Sequence, residues 1–228
     1  MDKNKLFHFD TLAIHGVNEE KNPKNAVNPP IFLSSAFEFN CLDHAEEVFS
    51  FASSDYVYTR GNNPTLRLFE NKIALLEEGK DAVAFASGMA AISSVLFSLL
   101  KPGDEMLAFR TIYGSSYNVI NKVLPRYGIK TKFLDFRDFK KVEEAITDST
   151  KVIYFETPSN PNLDIIDIAQ ISKIAHQKDV KVVVDNTFAT PYLQKPLNLG
   201  ADIVVHSATK YISGHGDVIG GVAVAKDP

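Results

Sequence analysis

The chain has 228 residues, enough for one large domain or for one domain and part of a second. Its 24 basic and 28 acidic residues give a formal net charge of −4 with no basic stripe, so no nucleic-acid partner is expected. Cys41 is the one cysteine and excludes an intrachain disulfide. No apolar run reaches the roughly 18 residues that span a bilayer, and Met1-Asp2-Lys3-Asn4-Lys5 opens no signal-peptide core, so the expected location is the cytoplasm.

Residues 1–60 carry Asn28-Pro29-Pro30, scattered phenylalanines and little periodicity. They read as an extended arm with one short helix near Leu42–Ser50. The arm's aromatic side chains must be covered, by a neighbouring subunit or by the arm's own domain. From about residue 64 the pattern changes. Pro64–Glu77 has Leu68, Ile73 and Leu76 at helical spacing, Pro64 near its start and Gly79 past its end. Short apolar runs then alternate with helical stretches. Strands are expected at Ala82–Ala86, Glu105–Phe109, Lys130–Leu134, Val152–Glu156, Val180–Val184, Ile203–His206 and Gly221–Ala225. Helices are expected at Gly88–Leu100, Ser116–Tyr127, Phe139–Ile146 and Ile168–Gln177. The runs are continuous and β-branched, as strands buried on both faces are. This alternation predicts an α/β fold with a mostly parallel seven-stranded sheet and helices on both faces. Ligands of such sheets bind at the carboxyl ends of the strands.

Chemistry-bearing residues follow those ends. Ser87-Gly88-Met89 opens a helix, where free backbone amides suit an anion; it also suits a plain capped helix start. Tyr113, after the second strand, can stack on a flat ring or simply pack. Glu156-Thr157-Pro158-Ser159-Asn160-Pro161 is a proline-stiffened turn presenting polar groups. Asp185 directly follows four apolar residues and needs a cationic or hydrogen-bonding partner to stay ionised; a protonated pyridine nitrogen is one such partner. Lys210, in His206-Ser207-Ala208-Thr209-Lys210-Tyr211, is expected to be a buried amine able to hold an aldehyde as a Schiff base. Ser207 and Thr209 beside it can bond a phosphate.

With this ordered set in view, the sequence resembles the Cys/Met-metabolism family of pyridoxal-phosphate (PLP) enzymes, with the aspartate-aminotransferase-like fold type I. The residues that carry the resemblance are Tyr58-Thr59-Arg60-Gly61-Asn62-Asn63-Pro64-Thr65, Ser87-Gly88-Met89, Tyr113-Gly114, the Glu156–Pro161 turn, Val184-Asp185-Asn186-Thr187 and Ser207–Tyr211. The resemblance implies pyridoxal 5′-phosphate as cofactor, and no metal. It makes Lys210, Tyr113 and Asp185 catalytic: Lys210 carries the Schiff base and shuttles protons, Asp185 pairs with the pyridine nitrogen, and Tyr113 stacks on the ring. It assigns Ser87, Gly88, Met89, Ser207 and Thr209 to the phosphate, Asn160 to the phenolic oxygen or the substrate carboxylate, and Thr187 to the cofactor-binding set. Tyr58 and Arg60 are implied to reach the phosphate of a neighbouring subunit, making residues 1–60 an inter-subunit arm in a tetramer of catalytic dimers.

The implied substrates are sulfur amino acids or acylated homoserines. The stretch Ser207–Asp217 and Pro191-Tyr192-Leu193-Gln194 resemble the methionine γ-lyases, which remove a γ-substituent. Those lyases carry a cysteine two residues after the stacking tyrosine, where this chain has Ser115. That leaves γ-replacement by a cystathionine γ-synthase or O-acetylhomoserine sulfhydrylase open. Family members continue past the equivalent of Pro228 into a C-terminal domain holding a carboxylate-binding arginine. The expectation is therefore an arm plus a cofactor domain (61–228) lacking that small domain, weakly active or a non-catalytic fragment.

Overall fold

A computed structural model of the chain describes residues 7–17 and 25–227. The Met1–Lys5 segment considered above as a leader lies outside them. The chain gathers into two units, Met1–Lys72 and Ile73–Pro228.

In the first unit, Phe9–His15 forms α1 and Leu42–Phe49 forms α2. The sequence reading missed α1, which buries no residue and has no side-chain cap, so neither apolar periodicity nor a capping residue marks it. Lys72 Nζ donates to the carbonyls of Leu12 and Ala13 at 3.2 and 3.1 Å, placing a cation at the negative end of α1. Asn63 organises the approach to α3 (Pro64–Glu77). Its Nδ2 donates to Phe32 O and to Thr59 Oγ1, and its Oδ1 accepts from Thr65 N at 2.8 Å. Leu33 and Phe51 are 95% and 94% exposed, too much apolar surface for the unit's own fold to account for.

In the second unit, seven strands form one sheet: β1 (Asp81–Phe85), β2 (Glu105–Phe109), β3 (Lys130–Leu134), β4 (Thr150–Glu156), β5 (Lys181–Asp185), β6 (Ile203–Ser207) and β7 (Gly221–Ala225). Their order is β1-β7-β6-β5-β4-β2-β3. Only β7 runs antiparallel, between β6 and β1. All of β2, and all of β4 except Lys151, is buried. Since successive side chains point to opposite faces, burial at consecutive positions means that both faces are covered. Gly88–Leu99 (α4) packs on β1, β6 and β7, Phe139–Ala145 (α6) on β3 and Ile168–His176 (α7) on β5. Each begins with a side-chain cap, from Ser87, Asp138 and Asp167 respectively. Tyr154, Phe109, Phe136 and Phe155 are fully buried at the centre, each contributing about 1.5–3 kcal/mol by leaving water. This is the expected α/β architecture.

The expected helix over Ser116–Tyr127 takes a different form. Regular turns (α5) cover only Gly114–Asn118, and Val119–Val123 widens into a π-helical turn, with Leu124 N bonding Val119 O. A tight 3₁₀ turn follows over Leu124–Tyr127. Pro125 is the physical reason: it has no N–H to bond the carbonyl four residues back, and its ring crowds that turn. The reading also missed α8, Thr190–Leu193, a single turn whose first residue has φ +60°. Among the described residues, no helix is long and apolar enough to cross a membrane.

At the carboxyl end of β3, Asp135 accepts from Arg137 at 2.7 and 2.9 Å and pairs with Arg110 at 2.9 Å. Arg137 also bonds Asp164 at 2.7 Å, which ties this corner to the turn after β4. The guanidinium hydrogen bonds hold the Asp135 carboxyl down at about 2. Because its folded value lies below its unfolded value, Asp135 stabilises the fold above about pH 4 and ceases to do so as pH falls toward 2. Asp135→Asn should therefore lower Tm at pH 6, and the gap from wild type should narrow by pH 3 in thermal melts across that range. A constant gap would show that the charge contributes nothing.

Candidate functional site

The chain leaves β2 outward to β3, returns to β4, and then steps the other way to β5 and β6. Turns that diverge beside β2 and β4 open a crevice at the carboxyl ends of the strands. A cavity of about 270 Å³ lies there. Its lining includes Ser87, Gly88 and Met89 from the start of α4, Tyr113 after β2, and Asn160 after β4. It also includes Asp185 and Thr187 at the end of β5, with Ser207, Thr209 and Lys210 at and beyond the end of β6. Of the residues singled out in the sequence, only Tyr58 and Arg60 belong to the other unit. There the Arg60 guanidinium lies 5.1 Å from the centre of the Tyr58 ring.

The start of α4 presses on the end of β6. A Cβ on Gly88 would sit 2.6 Å from Ser207 Cβ and 2.8 Å from Ser207 Cα, and a Cβ on Gly221 would meet Ser87 O at 2.2 Å. No residue larger than glycine fits at either position without moving backbone. Ser87 Oγ accepts from Ala90 N at 3.1 Å and Ser87 O from Ala91 N at 3.1 Å. The first-turn amides of Gly88 and Met89 have no intrahelical carbonyl to bond, and they open on the cavity with the positive end of the helix dipole.

Asp185 and Glu156 close their strands side by side, in register on β5 and β4. Both are buried, at 8% and 5% exposure. Asp185 Oδ1 accepts from Thr187 N at 3.0 Å and Thr187 Oγ1 at 2.5 Å, and Oδ2 accepts from the Tyr154 hydroxyl at 3.4 Å. Glu156 Oε1 accepts from Tyr113 N at 2.7 Å and Oε2 from Asn160 N at 3.2 Å. Among the described residues, no lysine or arginine pairs with either carboxylate. Burial raises both, and burial together with the Asp185 charge pushes Glu156 up to about 8. A buried anion without a cation is costly, so this floor suits a ligand that brings positive charge.

The family described as Cys/Met metabolism PLP-dependent enzyme matches residues 10–228. The chain belongs to that family. It is 47% identical over 227 residues to an L-methionine gamma-lyase of Pseudomonas deceptionensis, covering 99% of this chain and 57% of that one. The structure of metB from Corynebacterium glutamicum superposes with a TM-score of 0.92 at 40% identity, over 99% of this chain and 57% of the other. The metY structure from Campylobacter jejuni, which contains N′-pyridoxyl-lysine-5′-monophosphate, superposes at 0.91 with 35% identity, over 96% and 54%. The chain thus spans a little over half the length of these relatives.

The cavity fits the family's cofactor on its own observations: an anion seat at the start of α4, an unpaired buried carboxylate and an amine. One expectation needs correction. Lys210 is exposed, not buried, because β6 ends at Ser207 and a turn closed by Lys210 N on Ser207 O carries the side chain to the cavity's edge. Two hydroxyls are already engaged. Thr187 Oγ1 bridges Asp185 and Ser207 N, and Thr209 Oγ1 donates to Gly220 O while accepting from Gly220 N. The sequence reading passed over Glu156 and Tyr154 as functional residues. Glu156 carried the signal that marked Asp185, an acid ending a continuous apolar run; Tyr154 inside such a run carried none.

Glu156 also makes the protein's stability depend on pH. A carboxyl raised to about 8 keeps a proton in the fold that the unfolded chain has released above about pH 4.5, so stability falls as pH rises through that window. In cofactor-free protein, Glu156→Gln should flatten the decline between pH 5 and 8 in denaturant melts. An unchanged slope would place the proton elsewhere.

Proposed function

We propose that this chain is the cofactor-holding part of a PLP-dependent carbon–sulfur lyase that removes the γ-substituent of methionine- or homocysteine-type amino acids. The observation that carries the reading is the buried Asp185 carboxylate, which pairs with no lysine or arginine among the described residues, on the floor of a cavity that also presents Lys210. The substrate class rests on 47% identity to a methionine γ-lyase across 99% of the chain.

When bound, PLP supplies an electron sink for charge developing on substrate carbons. Asp185 would pair with the ring nitrogen and keep it protonated. Lys210 would hold the cofactor covalently, and its amine would serve as the base and acid that move protons at the substrate's α- and β-carbons. Tyr113, 46% exposed at the cavity, offers its ring as a stacking face and its hydroxyl for proton transfer. The Gly88 and Met89 amides and the Ser87 and Ser207 hydroxyls hold the phosphate; Thr209 joins them by turning its hydroxyl away from Gly220. Asn160 takes the phenolic oxygen or the substrate carboxylate, and Thr187 fixes Asp185. Tyr58 and Arg60, on an arm with large exposed apolar side chains, reach the phosphate of a neighbouring subunit in a tetramer of catalytic dimers.

Ser115 favours a second reading, γ-replacement on an acylated homoserine, because the lyases that this chain resembles carry cysteine there. A version extended to the relatives' full length separates the two. Release of 2-oxobutyrate and methanethiol from methionine alone supports the lyase; turnover only with an acylated homoserine plus a thiol supports the transferase. For the cofactor reading itself, borohydride reduction of the PLP-soaked chain should place a pyridoxyl label on Lys210, and Lys210→Ala should abolish label and visible absorbance together. A wild-type chain left unlabelled would overturn it.

A further inference from the structure

We infer that Glu156 is a positioning residue that locks the turns bearing Tyr113 and Asn160 to the floor of the cavity. The two turns leave different strands, β2 and β4, and diverge at the crevice. Backbone pairing does not join them there, since the β2–β4 ladder ends at Ala108 and Tyr154. Glu156 closes the gap. Each carboxyl oxygen takes one backbone N–H, from Tyr113 at 2.7 Å and from Asn160 at 3.2 Å. Tyr113 is the residue before α5 and has no side-chain capping bond of its own, so the Glu156 bond fixes where that helix and its preceding ring begin. Asn160 is the last residue before Pro161, in the turn whose other end is held by Arg137 on Asp164.

The choice of a carboxyl group follows from the demand. Two N–H donors on separate turns need two acceptor oxygens on one side chain, which a carboxyl group carries and an amide does not. The cost is a second buried acid, in register with Asp185. The raised proton affinity of Glu156 is the mark of that cost, and a cationic ring held against Asp185 relieves it. Loading the site and firming the two turns are therefore coupled. This inference rests on the proposed PLP reading for what the turns are positioned against, whereas the lock itself is a property of the cofactor-free chain.

The test is residue-resolved amide hydrogen exchange on cofactor-free protein, with visible circular dichroism on the loaded protein. Glu156→Gln keeps one acceptor and turns an NH₂ group toward the other donor. The shorter bond keeps the oxygen, so Asn160 N–H should exchange about fivefold faster or more while Tyr113 stays protected. Glu156→Ala should release both amides and reduce the induced dichroism of the bound cofactor by about half, with Glu156→Asp restoring part of it. If Glu156→Ala does not fold, the selective pattern in Glu156→Gln decides. Wild-type exchange at both amides in a folded variant would overturn the lock, and so would full dichroism in Glu156→Ala despite faster exchange. An unlabelled Lys210 with accelerated amides would instead sink the cofactor reading and leave the lock standing.

Discussion

The organising constraint is a pair of acids, Asp185 and Glu156, ending neighbouring strands where no lysine or arginine among the described residues meets them. Folding the sheet drives the apolar runs of β4 and β5 inward and takes both carboxyl groups along. Their desolvation is then offset by directed hydrogen bonds and not by charge pairing. Every bond made to them comes from the crevice turns or from the core: Thr187, Tyr113 and Asn160 from the turns, Tyr154 from beneath. The acids thus shape the crevice mechanically and also leave an excess of negative charge in it. Against a cation that excess becomes attraction, and against water it is a standing cost.

The same logic explains which parts of the fold could be read in the sequence. Continuous β-branched or aromatic runs such as Val182–Val184 and Val152–Phe155 have one good solution, a strand with both faces covered, and the strands lie within two residues of their expected ends. The helix after Tyr113 was legible as helical, but its change to π and 3₁₀ turns depends on how Pro125 is absorbed, a backbone adjustment that periodicity does not encode. Asp185 was legible because an acid ending an apolar run stands out. Glu156 has the same mark but sits against a proline-rich turn, and its importance comes from two partners, one 43 residues away, that only register and turn geometry bring within reach. The burial expected of Lys210 failed for a related reason: composition places the lysine after a strand, while the turn from Ser207 sets which way it leaves. Tyr58 and Arg60 differ again, since nothing in their local pattern points to an anion and the family resemblance alone gives them a role.

The site divides into groups that the fold uses up and groups that it leaves free. Glu156, Thr187 and Thr209 are committed to holding backbone, across turns that would otherwise be independent. Tyr113 and Lys210 are exposed at the cavity, with their main chains fixed and their side chains unspent. This is the arrangement that pre-organisation requires, because side chains that are to react must stay free to move while the backbone that carries them stays still. It also bears on substrate choice. A cofactor seat of the kind proposed is common to elimination and replacement. The step that separates the two is whether a thiol or water reaches the γ-carbon, and that depends on surfaces facing the open side of the cavity. Ser115, two residues after Tyr113 and the second residue of α5, stands on the element whose start the proposed Glu156 lock sets.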